Sequence, residues 1–139
     1  MTSAQRHYNM SRIRGKDTKP EILVRKALHR RGFRYSVNVK RLPGTPDIVL
    51  AKYKTVIFVN GCFWHGHQGC KYYTIPKTNT EFWKAKIETN LYRDAVNTAK
   101  LESLKWNVIT IWECELKKAT FEQTIERVAN ELRANMANL

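Results

Sequence analysis

TVIFVNGCFWHGHQGC, Thr55 to Cys70, joins a short apolar segment to a loop rich in cysteine, histidine and aromatic residues. Residues 55–59 are β-branched or aromatic throughout, which predicts a strand covered on both faces. The loop that follows, Gly61 to Cys70, holds two cysteines and two histidines beside two large aromatic side chains. Core packing alone poorly explains such a loop, so we expect it to carry chemistry at the end of a buried strand.

Upstream of this segment the sequence predicts one helix and two strands. Asp17 or Thr18 is expected to cap the helix, and Gly32 follows its last turn. Strands are then expected over residues 33–39 and 47–50, separated by a turn rich in proline and glycine.

Downstream, the sequence predicts a helix, a strand and a second helix. Thr78 to Glu81 resembles a capping box for a long helix over 82–104. Its buried side is expected to carry Trp83, Ile87, Leu91 and Ala95. A buried strand over 106–112 and an amphipathic helix over 120–136 follow. The fold class is therefore α/β, with a central mixed β-sheet flanked by helices.

The 139 residues fit one compact domain, and their net charge of +13 is concentrated near the N-terminus. Residues 1–50 contribute +9 of this charge. We expect residues 1–17 to form a basic arm and residues 18–139 to form a single domain. The arm's cations are Arg6, Arg12, Arg14 and Lys16. Clustered positive charge favours a polyanionic partner, although surface solubility is the alternative.

The chain contains no apolar run of the ~20 residues that a membrane span needs, and no hydrophobic signal segment. We therefore expect a cytoplasmic protein. Three cysteines are an odd number, which favours thiolate ligands of a metal over a disulfide framework.

Cys62, His67 and Cys70 have the side chains of metal ligands, and Cys114 follows the predicted strand over 106–112. If that strand lies beside the strand over 55–59, Cys114 completes a four-ligand set. Three thiolates and one imidazole suit a closed, tetrahedral, structural zinc site. The spacing is not a common zinc-finger pattern, so three buried free cysteines and a hydrogen-bonded histidine remain the alternative.

Asp47 and His65 are candidates for a second, catalytic site. Asp47 begins an apolar strand, where its carboxylate can face a cation such as Mg²⁺, although a turn cap is an equal explanation. His65 alone suits a spare zinc ligand or a solvated loop residue. Together with a basic surface, however, the two residues form a credible set for cleaving phosphodiesters.

Phe63 and Trp64 are adjacent, so both cannot face one core from an extended segment. At least one is expected to be exposed or to pack on the metal site. In a DNA-binding protein such side chains can wedge between bases. Core packing is the simpler explanation for Trp83, Trp106 and Trp112.

Four segments in order resemble the very-short-patch mismatch repair endonuclease family, Vsr. They are PGTPDIVL (43–50), VIFVNGCFWHGHQGC (56–70), TEFWKAKIETN (80–90) and VITIWECEL (108–116). The likeness extends from about Met10 to Leu116, and four motifs in register make it specific.

The resemblance implies a restriction-endonuclease-like core that nicks DNA 5′ of the thymine in T:G mismatches left by deamination of 5-methylcytosine. It implies Mg²⁺ at Asp47, with the backbone carbonyl of Val59 as a further ligand, and His65 as general base. Glu21 matches an acidic residue near the active site. Zinc ligands fall on Cys62, His67, Cys70 and Cys114, and the intercalating aromatics on Phe63, Trp64 and Trp83. The implied partners are mismatched duplex DNA, bound by a monomer, and a functionally linked cytosine methyltransferase in a prokaryotic nucleoid.

Two positions depart from one branch of this family. Asn60 stands where that branch has a second active-site histidine, and an amide can hydrogen-bond a phosphate but cannot act as an imidazolium acid. The interval between His67 and Cys70 is one residue longer. Two alternatives therefore stay open: a nuclease of the same fold that cuts intact or branched DNA, and a zinc-stabilised DNA-binding module without catalysis.

Overall fold

The computed structural model describes residues 17–139, so the basic arm with Arg6, Arg12, Arg14 and Lys16 lies outside the described residues. The three helices of the described part are α1 (Lys19–Arg30), α2 (Thr80–Ser103) and α3 (Phe121–Ala137). Its four strands are β1 (Ser36–Val37), β2 (Ile48–Leu50), β3 (Thr55–Asn60) and β4 (Asn107–Trp112). Short 3-10 turns follow β2 at Ala51–Tyr53 and β4 at Glu113–Leu116.

The four strands form one mixed sheet in the order β1-β2-β3-β4. β1 and β2 are antiparallel, as are β2 and β3, whereas β3 and β4 are parallel. The parallel register sets Asn60 opposite Trp112, so both strands end at one edge of the sheet. The predicted α/β class, element order and mixed sheet are therefore confirmed.

Helices cover both faces of the sheet. On one face, Val24 and Leu28 of α1 and Val128 of α3 pack with Ile57 of β3 and Ile111 of β4. On the opposite face a smaller cluster packs against α2. Its buried members are Val49, Val56 and Leu101, and its partly buried members are Val39, Leu42, Phe58, Trp106 and Val108. Consecutive residues of β3 alternate between the two clusters, as a pleated strand requires. The prediction that this strand is covered on both faces is confirmed.

The predicted caps of α1 and α2 differ from the observed ones. Thr18 is the residue before α1, but its side chain makes no capping hydrogen bond. α2 begins after Asn79, which has a left-handed backbone, and no capping box forms there. The hydroxyl of Thr80 instead donates to the carbonyls of Pro76 and Lys77, because the preceding loop turns back on itself.

The inner face of α2 also differs from the predicted one. Trp83 and Ile87 are buried as expected, but Leu91 is 37% exposed and Ala95 is exposed. Beyond Ile87 the residues that face inward lie one position before the predicted ones. They are polar, namely Asn90, Asp94, Asn97 and Thr98, and the buried Leu101 follows them. The pattern of apolar residues misled the prediction because this helix lines a polar cavity.

None of the helices within residues 17–139 has the length and apolar character that crossing a membrane requires.

Candidate functional site

A cavity of about 280 Å³ opens between the sheet and α2, beside the end of β3. The antiparallel register pairs Ile48 with Ile57. Asp47, the residue before β2, therefore lies next to the end of β3. Five of the residues predicted from the sequence line this cavity: Glu21, Asp47, Val59, Asn60 and His65.

Asp47 is fixed by the neighbouring strand. Its Oδ2 accepts a hydrogen bond of 2.7 Å from the backbone N–H of Val59. Burial raises the pKa of Asp47 to about 7; the Val59 hydrogen bond opposes this shift, and the charge of Glu21 adds to it. A cation in the cavity would favour the ionised carboxylate, so the chemistry of this position suits a metal ligand.

Glu21 lies on α1 and is only 3% exposed. Its Oε2 accepts hydrogen bonds from the backbone N–H of Asp17 at 2.8 Å and from Nη2 of Arg25 at 3.2 Å. The same guanidinium nitrogen donates to Asp17 Oδ1 at 2.8 Å. These contacts hold a buried carboxylate in the wall of the cavity, where it adds negative charge near Asp47.

His65 is oriented by a residue that the sequence did not point to. Its Nδ1 lies 2.6 Å from Oδ2 of Asp94 on α2. Because a carboxylate only accepts hydrogen bonds, Nδ1 is the donor and Nε2 is left as the basic nitrogen. The pair resembles the orienting contact of a general base.

The loop after β3 is anchored to α2 beside this pair. The side-chain amide of Asn90 donates to the carbonyl of Trp64 at 2.9 Å. Gly66 packs so closely on α2 that a Cβ there would lie 2.9 Å from Ile87 Cγ2. In the sequence, Asn90 and Asp94 continue at helical spacing the face on which Trp83 and Ile87 are buried. This spacing is the signal that would have located them.

A second cluster lies further along the same loop. The ligand atoms of Cys62, His67, Cys70 and Cys114 all lie within 4.8 Å of one another, which is close enough to share one metal ion. The parallel pairing of β3 with β4 brings Cys114 to the loop, as the sequence predicted. These residues could hold a metal.

The cluster is supported by its surroundings. The ring of His67 stacks on Trp112 at a centroid distance of 4.1 Å, and its Nδ1 lies 3.5 Å from Cys114 Sγ. Burial raises the pKa of the Cys62 thiol to about 12, whereas the backbone N–H of Tyr72 holds the pKa of Cys70 below its ordinary value. A metal ion bound by these side chains would favour the thiolate form of all three cysteines.

The three predicted intercalating aromatics pack against one another. Phe63, Trp64 and Trp83 have ring centroids 5.3–5.9 Å apart, each pair edge to face. Trp83 is 9% exposed and forms the base of the cluster, whereas Phe63 and Trp64 are partly exposed. Phe82, which the sequence analysis did not single out, packs on Trp83 at 5.0 Å and is 61% exposed.

Comparison with known proteins identifies the family. The family model described as "DNA mismatch endonuclease Vsr" matches residues 1–72. The chain is 50% identical to the type II nicking enzyme V.NmeAIP of Neisseria meningitidis, over 95% of this chain and 94% of that enzyme. It is 41% identical to the DNA mismatch endonuclease Vsr of Escherichia coli, over 90% of this chain and 81% of that enzyme.

A third relative, the type II nicking enzyme V.XorIIP of Xanthomonas oryzae, is 45% identical over 84% of this chain and 85% of its own length. With likeness of this extent, the chain belongs to the Vsr family of DNA mismatch endonucleases and is itself a DNA endonuclease.

Proposed function

We propose that this endonuclease nicks one strand of duplex DNA, 5′ of the thymine in a T:G mismatch left by deamination of 5-methylcytosine. The observation that carries the proposal is the meeting of Asp47 with the His65–Asp94 pair in one cavity. Trp64, the residue before His65, belongs to the aromatic cluster. A cation site and a general base beside stacking side chains suit cleavage next to a weakly stacked base pair.

Asp47 fits a Mg²⁺ ligand. Its Oδ2 is held by Val59, while no donor within residues 17–139 bonds to Oδ1. Oxygen donors are those that Mg²⁺ prefers, and the backbone carbonyl of Val59 is proposed as a second one. A Mg²⁺ ion bound there would supply Lewis-acid polarisation of the phosphate.

His65 is proposed to take the proton of the attacking water on Nε2, while Asp94 orients the ring and stabilises its charged form. The water oxygen bonds to phosphorus and one phosphorus–oxygen ester bond breaks. The leaving oxygen then takes a proton from solvent. Asn60 is proposed to hydrogen-bond a phosphate oxygen, and Glu21 to shape the field around Asp47.

The Cys₃His cluster fits a structural zinc ion. Three sulfur donors and one nitrogen donor leave no position open for substrate, and the donor set is that of closed zinc sites. Zinc would tie the loop after β3 to the end of β4 and so hold His65 beside Asp94. Its proposed role is folding rather than chemistry.

The remaining proposals concern the whole molecule. Residues 18–139 are proposed to form one restriction-endonuclease-like domain, and residues 1–17 a DNA-binding arm. Phe63, Trp64 and Trp83 are proposed to intercalate beside the mismatch, which requires Trp83 to leave its buried position. The enzyme is proposed to act as a monomer on chromosomal DNA in the prokaryotic cytoplasm, in concert with a cytosine methyltransferase.

Strand-specific nicking of three matched duplexes tests the proposal. The duplexes carry T:G, T:A or C:G at one position and are otherwise identical, with each strand labelled in turn. Nicking is expected only beside T:G, only on the thymine strand and only with added Mg²⁺. The comparison buffer simply lacks Mg²⁺, because a chelator would also remove zinc.

Other outcomes distinguish the alternatives. Equal cutting of all three duplexes would identify a general or restriction-type nuclease. Tight binding of the T:G duplex without cutting, at any Mg²⁺ concentration, would instead favour a binding module and would contradict the roles given to Asp47 and His65.

A further inference from the structure

Lys40 is the only lysine or arginine among the described residues that line the cavity. The cavity also carries three carboxylates, those of Glu21, Asp47 and Asp94. A DNA phosphate that enters such a cavity meets a strongly negative field, so a positive charge is required to offset it.

None of these three carboxylates forms an ion pair with Lys40. Glu21 is paired with Arg25 at 3.2 Å and Asp94 with His65 at 2.6 Å, while Asp47 accepts the N–H of Val59. Within residues 17–139 no carboxylate forms an ion pair with Lys40, whose side chain is exposed at the mouth of the cavity. Its ammonium group is therefore available to an anion.

Backbone hydrogen bonds fix the segment before Lys40 to the two residues that precede β2. Asn38 N–H donates to the carbonyl of Asp47 at 3.2 Å, and Val39 N–H donates to that of Pro46 at 3.3 Å. Asn38 has a left-handed φ of 49°, which ends β1 and redirects the chain. These main-chain contacts fix the backbone just before Lys40 at the cavity that Asp47 also lines.

Lys40 has a matched neighbour. The N–H of Leu42 donates to the carbonyl of Val39 at 3.3 Å, so Lys40 and Arg41 are the two central residues of one turn. Both are exposed cations, but Arg41 does not line the cavity. The two residues therefore share their charge, their exposure and their turn, but only Lys40 lines the cavity.

We propose that Lys40 is a further catalytic residue, which donates hydrogen bonds to the non-bridging oxygens of the phosphate being cut. Its ammonium group stabilises the negative charge that those oxygens gain as water attacks. The inference rests on the proposed function of this cavity. Asn60, which also lines the cavity, is neutral and cannot supply such a charge.

The test compares Lys40→Met, Lys40→Arg and Arg41→Met in the full chain. The nicking rate is measured in a single turnover with enzyme in saturating excess, and the affinity for the same duplex is measured separately without Mg²⁺. Lys40→Met is expected to slow nicking by about 10²-fold while affinity changes by about threefold or less. Lys40→Arg should recover most of the rate, and Arg41→Met should keep it within about twofold.

A different pattern would overturn the proposal. If Lys40→Met lowers affinity and reduces the salt slope by about 1 but leaves the single-turnover rate unchanged, Lys40 is an ordinary phosphate contact. Melting temperatures close to wild type are expected for all three variants because both positions are exposed. If the wild-type chain cuts a duplex other than T:G, the proposed substrate is wrong, and the same comparison on the cut duplex still decides the role of Lys40.

Discussion

At the scale of single residues, the burial of Asp47 makes the stability of the fold depend on pH. The pKa of its carboxyl rises from 3.8 to about 7 in the folded chain, chiefly through burial. The folded protein therefore binds more protons than the unfolded chain between these values, and its stability falls as pH rises through that window. Ionised Asp47 therefore destabilises the folded chain unless a cation offsets its charge.

Asp47→Asn should accordingly abolish nicking yet stabilise the fold. Without Mg²⁺, the variant is expected to gain about 2–4 kcal/mol over wild type at pH 8 and almost nothing at pH 4. Urea unfolding across this pH range measures the difference. A constant difference at every pH would show that folding leaves the pKa of Asp47 unchanged. The nicking rate of the variant should fall by about 10³-fold or more.

The contact of His65 with Asp94 predicts a graded loss of activity. His65→Ala removes the base and should slow single-turnover nicking by about 10²–10⁴-fold. Asp94→Asn keeps the shape but loses the charge that orients and stabilises the ring, so a loss of about 10²-fold is expected. DNA affinity, measured in parallel, should stay near wild type in both variants. The pH profile of nicking should change in both, because one variant removes the proposed general base and the other removes the charge beside it. An Asp94→Asn variant with an unaltered rate and profile would reduce Asp94 to a surface contact.

At the scale of elements, the loop after β3 depends on close packing against α2. Gly66 has a φ of +58°, and an added Cβ would lie 2.9 Å from Ile87. Gly66→Ala should therefore cost about 2–4 kcal/mol through backbone strain and overpacking. Gly69 provides the control, because its φ of +73° is similar but nothing lies within 4 Å of its added Cβ. Gly69→Ala should cost about 1 kcal/mol in urea unfolding, and equal losses would mean that loop packing on α2 contributes little.

The same loop predicts a metal dependence of stability. Removal of zinc with a chelator, or Cys114→Ser, should lower the free energy of unfolding by several kcal/mol, because β4 would no longer be tied to the loop. Zinc content by elemental analysis should be about one ion per chain and should fall in the variant. After chelation, added Zn²⁺ should restore the melting temperature and added Mg²⁺ should not. A chelator without effect would favour three buried free cysteines.

At the scale of the whole molecule, the net charge of +13 predicts how DNA binding responds to salt. Residues 1–16 carry four Lys/Arg and no Asp or Glu. Their deletion should weaken binding and reduce the slope of log affinity against log salt by about 3–4. A second variant keeps the arm but changes Arg6, Arg12, Arg14 and Lys16 to Gln, so it removes the charge without removing the residues. It should show the same reduced salt slope as the deletion. Fluorescence anisotropy from low to high salt measures both, and an unchanged slope would exclude the arm from phosphate contacts.

The sequence by itself determined the elements and the chemical groups of this protein. The apolar run over 55–59 predicted a strand covered on both faces, and the cysteines and histidine around it predicted a cluster that could hold a metal. These features are local, because the spacing of apolar side chains and the identity of metal-binding side chains do not depend on residues far away in the sequence. The same locality explains why Asp47 and His65 could be singled out before their positions were known.

Only the tertiary structure decided which groups lie together. Asp94 lies 29 residues after His65, and Lys40 lies in a turn beyond a two-residue strand, so neither partner is visible in any short motif. Asn90 and Asp94 face inward because α2 crosses a polar cavity at the point where its apolar face would otherwise continue. Sequence period predicts which residues share a helix face, but only packing against the sheet decides whether that face meets a core or a cavity.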